Sequence, residues 1–111
     1  MQTLIQVFCS GRGSLRDAIA ADKRIEKYDL VVSEKKNRNR SSGWSKIHSL
    51  NGSHGAINIE WEANTNMLLC RVITKGGNQS DIIAAFINYL LSKHKKRVQM
   101  INIRPIEHKH I

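Results

Sequence analysis

Residues 56–74 leave this chain little choice of local structure. Ile57, Ile59 and Trp61 alternate with Asn58, Glu60 and Glu62, which is the two-residue period of a half-buried strand. Ala63-Asn64-Thr65-Asn66 supplies turn residues, and residues 67–74 return as a second strand. A hairpin that closes on Glu62 opposite Met67 sets Trp61 across from Leu68, Ile59 from Cys70 and Ile57 from Val72. One face is then wholly apolar. A slip of one residue would scatter these side chains over both faces, so the pattern selects this register. The other face carries Asn58 opposite Arg71, with Glu60 diagonal to Arg71.

The remaining segments fit around such a hairpin. Residues 3–8 are β-rich and stop at Ser10-Gly11-Arg12-Gly13. Ser14 has the place of a helix N-cap, with Asp17 three residues on. Leu15, Ala18, Ile19, Asp22 and Ile25 follow helical spacing, which predicts a helix over 15–27. Residues 28–33 and 44–50 read as strands. Asn78 or Ser80 caps a second helix, whose Ile82, Ile83, Phe86, Ile87, Leu90 and Leu91 form a wide apolar face. Residues 98–103 read as a last strand that Pro105 ends.

The order β-α-β-β-β-β-α-β predicts an α+β domain: a mostly antiparallel sheet of about five to six strands with two helices packed on one face. A chain of 111 residues holds one such core. It is expected over residues 1–105, with 106–111 as a frayed tail.

Charge narrows the partner. Eighteen Lys and Arg against nine Asp and Glu leave a net charge of +9. Residues 35–46 concentrate it in Lys35, Lys36, Arg38, Arg40 and Lys46, with Trp44 among them and no acid. Unpaired charges are too costly to desolvate, so this segment lies in water or on an anion. The pattern predicts a small basic protein that grips the phosphates of a nucleic acid, with Arg71 and Lys75 as second-rank contacts. RNA or single-stranded nucleic acid is favoured over duplex DNA, because no helix-turn-helix or zinc-finger pattern is present. Trp44 suits stacking on an unpaired base; the competing reading buries it in the core. A second basic cluster, residues 93–97, closes the last helix, where cations also suit the helix dipole.

Two other classes compete. Metal-independent RNA cleavage needs an acid, a base and a cation for the pentavalent phosphate. Glu60 and Arg71 with His48 or His54 would supply those types, although a cross-strand ion pair explains Glu60 and Arg71 as simply. Binding is therefore favoured over catalysis. The third class is an interaction protein, such as a homodimer that pairs through a free strand edge. No cofactor is expected, because neither glycine-containing loop matches a nucleotide motif. No metal is expected either, because no C-x-x-C or H-x-x-x-H occurs. Cys9 and Cys70 each sit in an apolar run, as reduced buried thiols do. With no signal-like start and no span of membrane length, these residues predict a cytoplasmic protein with no membrane partner.

Overall fold

The computed structural model describes residues 2–33, 44–50, 55–74 and 79–106. Six strands form one sheet: β1 (Gln2–Cys9), β2 (Leu30–Ser33), β3 (Trp44–Ser49), β4 (Ala56–Glu62), β5 (Met67–Ile73) and β6 (Val98–Ile106). Their spatial order is β2-β3-β4-β5-β1-β6, and every neighbouring pair is antiparallel. The helical layer comprises α1 (Leu15–Ala20), a 3-10 helix (Lys23–Tyr28) and α2 (Ser80–Lys93). The α+β architecture with one covered sheet face is thus the one the sequence predicts.

Alternation explains why one face is covered. In β1, Thr3, Ile5, Val7 and Cys9 are buried while their neighbours are partly exposed. The β4–β5 hairpin has the predicted register, with Ile57 opposite Val72, Ile59 opposite Cys70 and Trp61 opposite Leu68. Leu15, Ile19 and Ile25 from the first helical segments, and Phe86, Tyr89 and Leu90 from α2, close over these side chains. Each fully buried residue of this size stabilises the fold by about 1.5–3 kcal/mol. Both cysteines are free and buried inside this layer.

The expected helix over 15–27 is broken in two. Ser14 caps α1 as anticipated, its hydroxyl accepting from the Asp17 N–H at 3.1 Å. Asp22 then accepts from the Arg24 N–H and starts the 3-10 helix. A short polar side chain offers the backbone this local alternative to helical bonding. Asp29 ends the turn in the left-handed region at φ 60°, so β2 begins at Leu30 rather than at Tyr28.

Pro105 does not end β6. It stands opposite Thr3, and the strand continues to Ile106. β6 is a sheet edge, where a residue without an N–H can face outward. At the start of α2 the N-cap position is Gln79, which makes no side-chain cap bond. Its amide instead donates to the Thr74 hydroxyl at 3.1 Å and its carbonyl accepts from Thr3. Leu91, expected in the core, is 47% exposed because it lies on the flank of α2.

Candidate nucleic-acid interface

The sheet face opposite the helical layer gathers residues far apart in sequence. Read across the strands in register, one row is Ser33, Lys46, Asn58, Arg71, Leu4 and Arg104. The row beside it is Glu60, Leu69, Gln6 and Asn102. Strands lie about 4.8 Å apart, so Lys46, Arg71 and Arg104 stand at intervals of about 10 Å across the sheet. Arg71 and Arg104 are exposed and Lys46 is half-buried. Among the described residues, no hydrogen bond or ion pair holds any of these three side chains. Leu4, Leu69 and Phe8 give the face half-buried apolar ground between the charges.

Arg16, Arg24 and Arg97, by contrast, are engaged. Arg16 donates to the Ser45 hydroxyl at 2.7 Å on the covered face and pairs with Asp17. Arg24 holds both carboxylate oxygens of Asp22. Arg97 donates to the carbonyls of Ser10 and Gly13, and its guanidinium lies 6.0 Å from the centre of the Trp61 ring. It packs so closely on Gly11, at φ +82°, that a Cβ there would meet Arg97 Nε at 3.1 Å. Part of the second basic cluster is therefore structural: Arg97 clamps the loop between β1 and α1. That cluster lies beyond the end of the sheet where Phe8 meets Met100, away from the row of Leu4 and Arg104.

The sequence-predicted contacts divide accordingly. Lys46 and Arg71 share the row. Lys35, Lys36, Arg38, Arg40, Lys75 and His54 lie outside the described residues, as does the Trp44 side chain. β2 ends at Ser33 and β3 begins at Trp44, on either side of the residues 34–43 that carry the four loop cations. Both ends sit beside Lys46, since Ser33 pairs with Lys46 and Trp44 is two residues from it.

Arg104 and Phe8 were missed by sequence reasoning. Arg104 reaches the row only through pairing of the two chain ends, a contact that no local pattern announces. The alternation in β1 did signal an outward Phe8.

Of the nuclease set, His48 does not join Glu60 and Arg71, and His54 lies outside the described residues. Glu60 lies diagonal to Arg71, as the hairpin predicts. His48, however, pairs with Ala56, four residues along the strand from Glu60. At about 3.3 Å per residue that separates them by about 13 Å. The His48 ring lies instead 2.8 Å from the Ser33 hydroxyl.

A second polar cluster sits between the helical segments. Asp22 has a side chain only 8% exposed. It accepts from the Tyr89 hydroxyl at 2.8 Å, and His94 Nε2 lies 2.7 Å from the same hydroxyl. With the phenol donating to the carboxylate, the neutral imidazole carries its hydrogen on Nε2 and donates to the phenol oxygen. The Arg24 bond, with Tyr89 adding to it, holds the Asp22 carboxyl well below the usual carboxylate range. Burial, then the bond to Asp22, pushes the Tyr89 phenol up. Burial lowers His94 against the opposing pull of Asp22. These residues tie the end of α2 to the 3-10 helix and serve the fold.

Among the described residues, no group of three His, Cys, Asp or Glu is arranged to hold a metal ion. No helix among them is long and apolar enough to cross a membrane. No protein-family model matches the chain, nor does any curated protein or solved structure.

Proposed function

We propose that the open face of the sheet binds the phosphate backbone of a nucleic acid, with RNA or single-stranded nucleic acid preferred. The observation that carries this reading is the row of three unengaged cations, Lys46, Arg71 and Arg104, on the sheet face opposite the helical layer. The net charge of +9 supplies long-range attraction to such a polyanion. The 34–43 segment, which carries Lys35, Lys36, Arg38 and Arg40, is joined in sequence to Ser33 and Trp44, both beside Lys46. Phe8 and Leu69 suit unstacked bases better than the wall of a duplex, because a flat sheet face meets exposed rings but fits no groove. Arg71 and Arg104 carry no base code in this reading; they position phosphates.

The test is a fluorescence anisotropy titration of labelled single strands and of the matching duplex across a salt series. Log affinity should fall linearly with log salt, by about 0.7 per phosphate contact for a single strand. Affinity that does not change with salt would rule out phosphate contacts.

Glu60 separates this reading from RNA cleavage. Among the described residues it is the carboxylate nearest the cation row, so it repels a bound phosphate. Glu60→Gln is expected to tighten binding about two- to fivefold, the size of a single solvent-exposed charge term of at most about 1 kcal/mol. Intact RNA should be recovered from both proteins after incubation in EDTA. RNA cleaved by the wild type and spared by Glu60→Gln would assign the face to catalysis instead.

A further inference from the structure

The sheet ends at β6, nine residues long, with no strand beyond it among the described residues. The direction of its backbone groups follows from β1. The Cys9 N–H bonds to the Asn66 carbonyl on the β5 side, and the Ser10 N–H bonds to the Arg97 carbonyl on the β6 side. Successive residues of a strand point these groups to opposite neighbours. The even residues of β1, Leu4, Gln6 and Phe8, therefore face β6. Their partners Arg104, Asn102 and Met100 use their N–H and C=O groups inside the sheet. Ile101 and Ile103 point theirs outward. Pro105 belongs to the same outward set, where no ladder bond needs the N–H it lacks.

The side chains along this edge are apolar. Ile101 and Ile103 stand on the helical side, opposite Val7 and Ile5, and Ile103 is 45% exposed. On α2, Tyr89 marks the flank turned to the 3-10 helix through its bond to Asp22. Helical spacing sets Ile83, Ile87 and Leu91 on the other flank of α2. Natural edges of this kind are usually blunted with charge or proline; here Pro105 removes one outward donor near the end of β6, while Ile101 and Ile103 keep theirs. The only charge in β6 is Arg104, which lies on the opposite face.

We infer that the β6 edge pairs with the β6 edge of a second copy of this chain, about a two-fold axis at Asn102, joining two sheets into one. The strand is self-complementary about that residue. Antiparallel pairing sets Ile101 opposite Ile103 of the partner subunit, each exchanging its N–H and C=O. Arg104 meets Met100 of the partner subunit, so no like charges oppose one another. Nine residues at about 3.3 Å give a band about 30 Å long, and a sheet with one helical layer is about 20 Å deep. Such a band buries about 600 Å² per subunit, or about 1,200 Å² in all, the lower end of stable interfaces. A dimer of that size dissociates on the order of micromolar concentrations. The pairing does not depend on nucleic-acid binding.

Sedimentation equilibrium of the full chain without nucleic acid, at about 1–500 µM, tests it. The mass should rise with concentration from 12.6 kDa to twice that value. Ile103→Lys should weaken association about tenfold or more, by setting a charge against the partner's Ile101. In a second variant, Asn102→Cys, mild oxidation should give a disulfide-linked dimer. The axis brings the two Cα atoms to about 4.5 Å, within disulfide reach. Met100→Cys, which does not face itself across the axis, should link poorly. A single-chain mass throughout, or an Ile103→Lys variant that associates as tightly as the wild type, overturns the proposal. So does a monomer whose Ile101 and Ile103 amides exchange slowly, which would assign the edge to the chain's own residues 107–111.

Discussion

Replacing Lys46, Arg71 and Arg104 together with glutamine is expected to weaken binding of a single-stranded oligonucleotide about 100- to 500-fold at about 0.1 M salt. Each phosphate contact releases about 0.7–0.9 counterions, so between about 1 M and 0.1 M salt it is worth about five- to eightfold in affinity. Three contacts multiply to the stated range. The fold should be indifferent to the change. No described residue partners these side chains, and surface substitutions of that kind stay within about 0.5 kcal/mol. Anisotropy and a thermal melt of the same variant separate the two quantities. Replacing Lys93, Lys95 and Lys96 is the control, since these lie at the other end of the sheet. If that control variant loses affinity and the row variant keeps it, the interface is on the helical side.

Asp22→Ala carries the second large effect, on stability. The substitution removes the cap of the 3-10 helix and the acceptor of the Tyr89 hydroxyl, a group buried with its whole side chain. Loss of a cap costs about 1 kcal/mol. Leaving the buried phenol short of that acceptor costs about 1–3 kcal/mol more. Arg24 is half exposed, so its ion pair adds little after solvent screening. The sum is about 3 kcal/mol, which lowers Tm by about 10–20 °C in a domain of this size. Calorimetry checks it. A loss under about 1 kcal/mol would mean that the cluster is not a tie between α2 and the 3-10 helix.

The same cluster sets a pH dependence. The folded state holds Asp22 below its unfolded value, so that contribution is complete above the usual carboxylate range and is lost as pH falls beneath it. Burial also lowers His94, so the unfolded chain takes up that proton first. Stability therefore begins to fall as pH drops through the ordinary histidine value of 6.5. Asp22→Ala should retain the histidine step and lose the carboxylate one.

Local patterns account for what was legible in the sequence. The β4–β5 register was, because three apolar side chains on each strand must meet on one face. So were the Ser14 cap and the core face of α2. The break at Asp22 was not, because residues 15–27 keep their helical spacing through it; only the carboxylate's choice of the Arg24 N–H ends the α-helix. Pro105 was misread for a topological reason. A proline stops a central strand, and that β6 is an edge follows only from the sheet order. The same pairing of chain ends hid Arg104. The charge run at 35–46 named a class of partner, but its row mates Arg71 and Arg104 come from strands that meet only through tertiary pairing. Arg97 shows the converse, since a cation of the second basic cluster is committed to two loop carbonyls.

The central claim is that a polyanion lies across the open sheet face along the row from Lys46 to Arg104. An amide chemical-shift titration of labelled protein with a single-stranded oligonucleotide at low salt tests it most directly. The account predicts shifts that grow with added strand at Leu4, Lys46, Asn58, Arg71 and Arg104, and little change along α2. Shifts confined to residues 93–97, or none at saturating oligonucleotide, would contradict it.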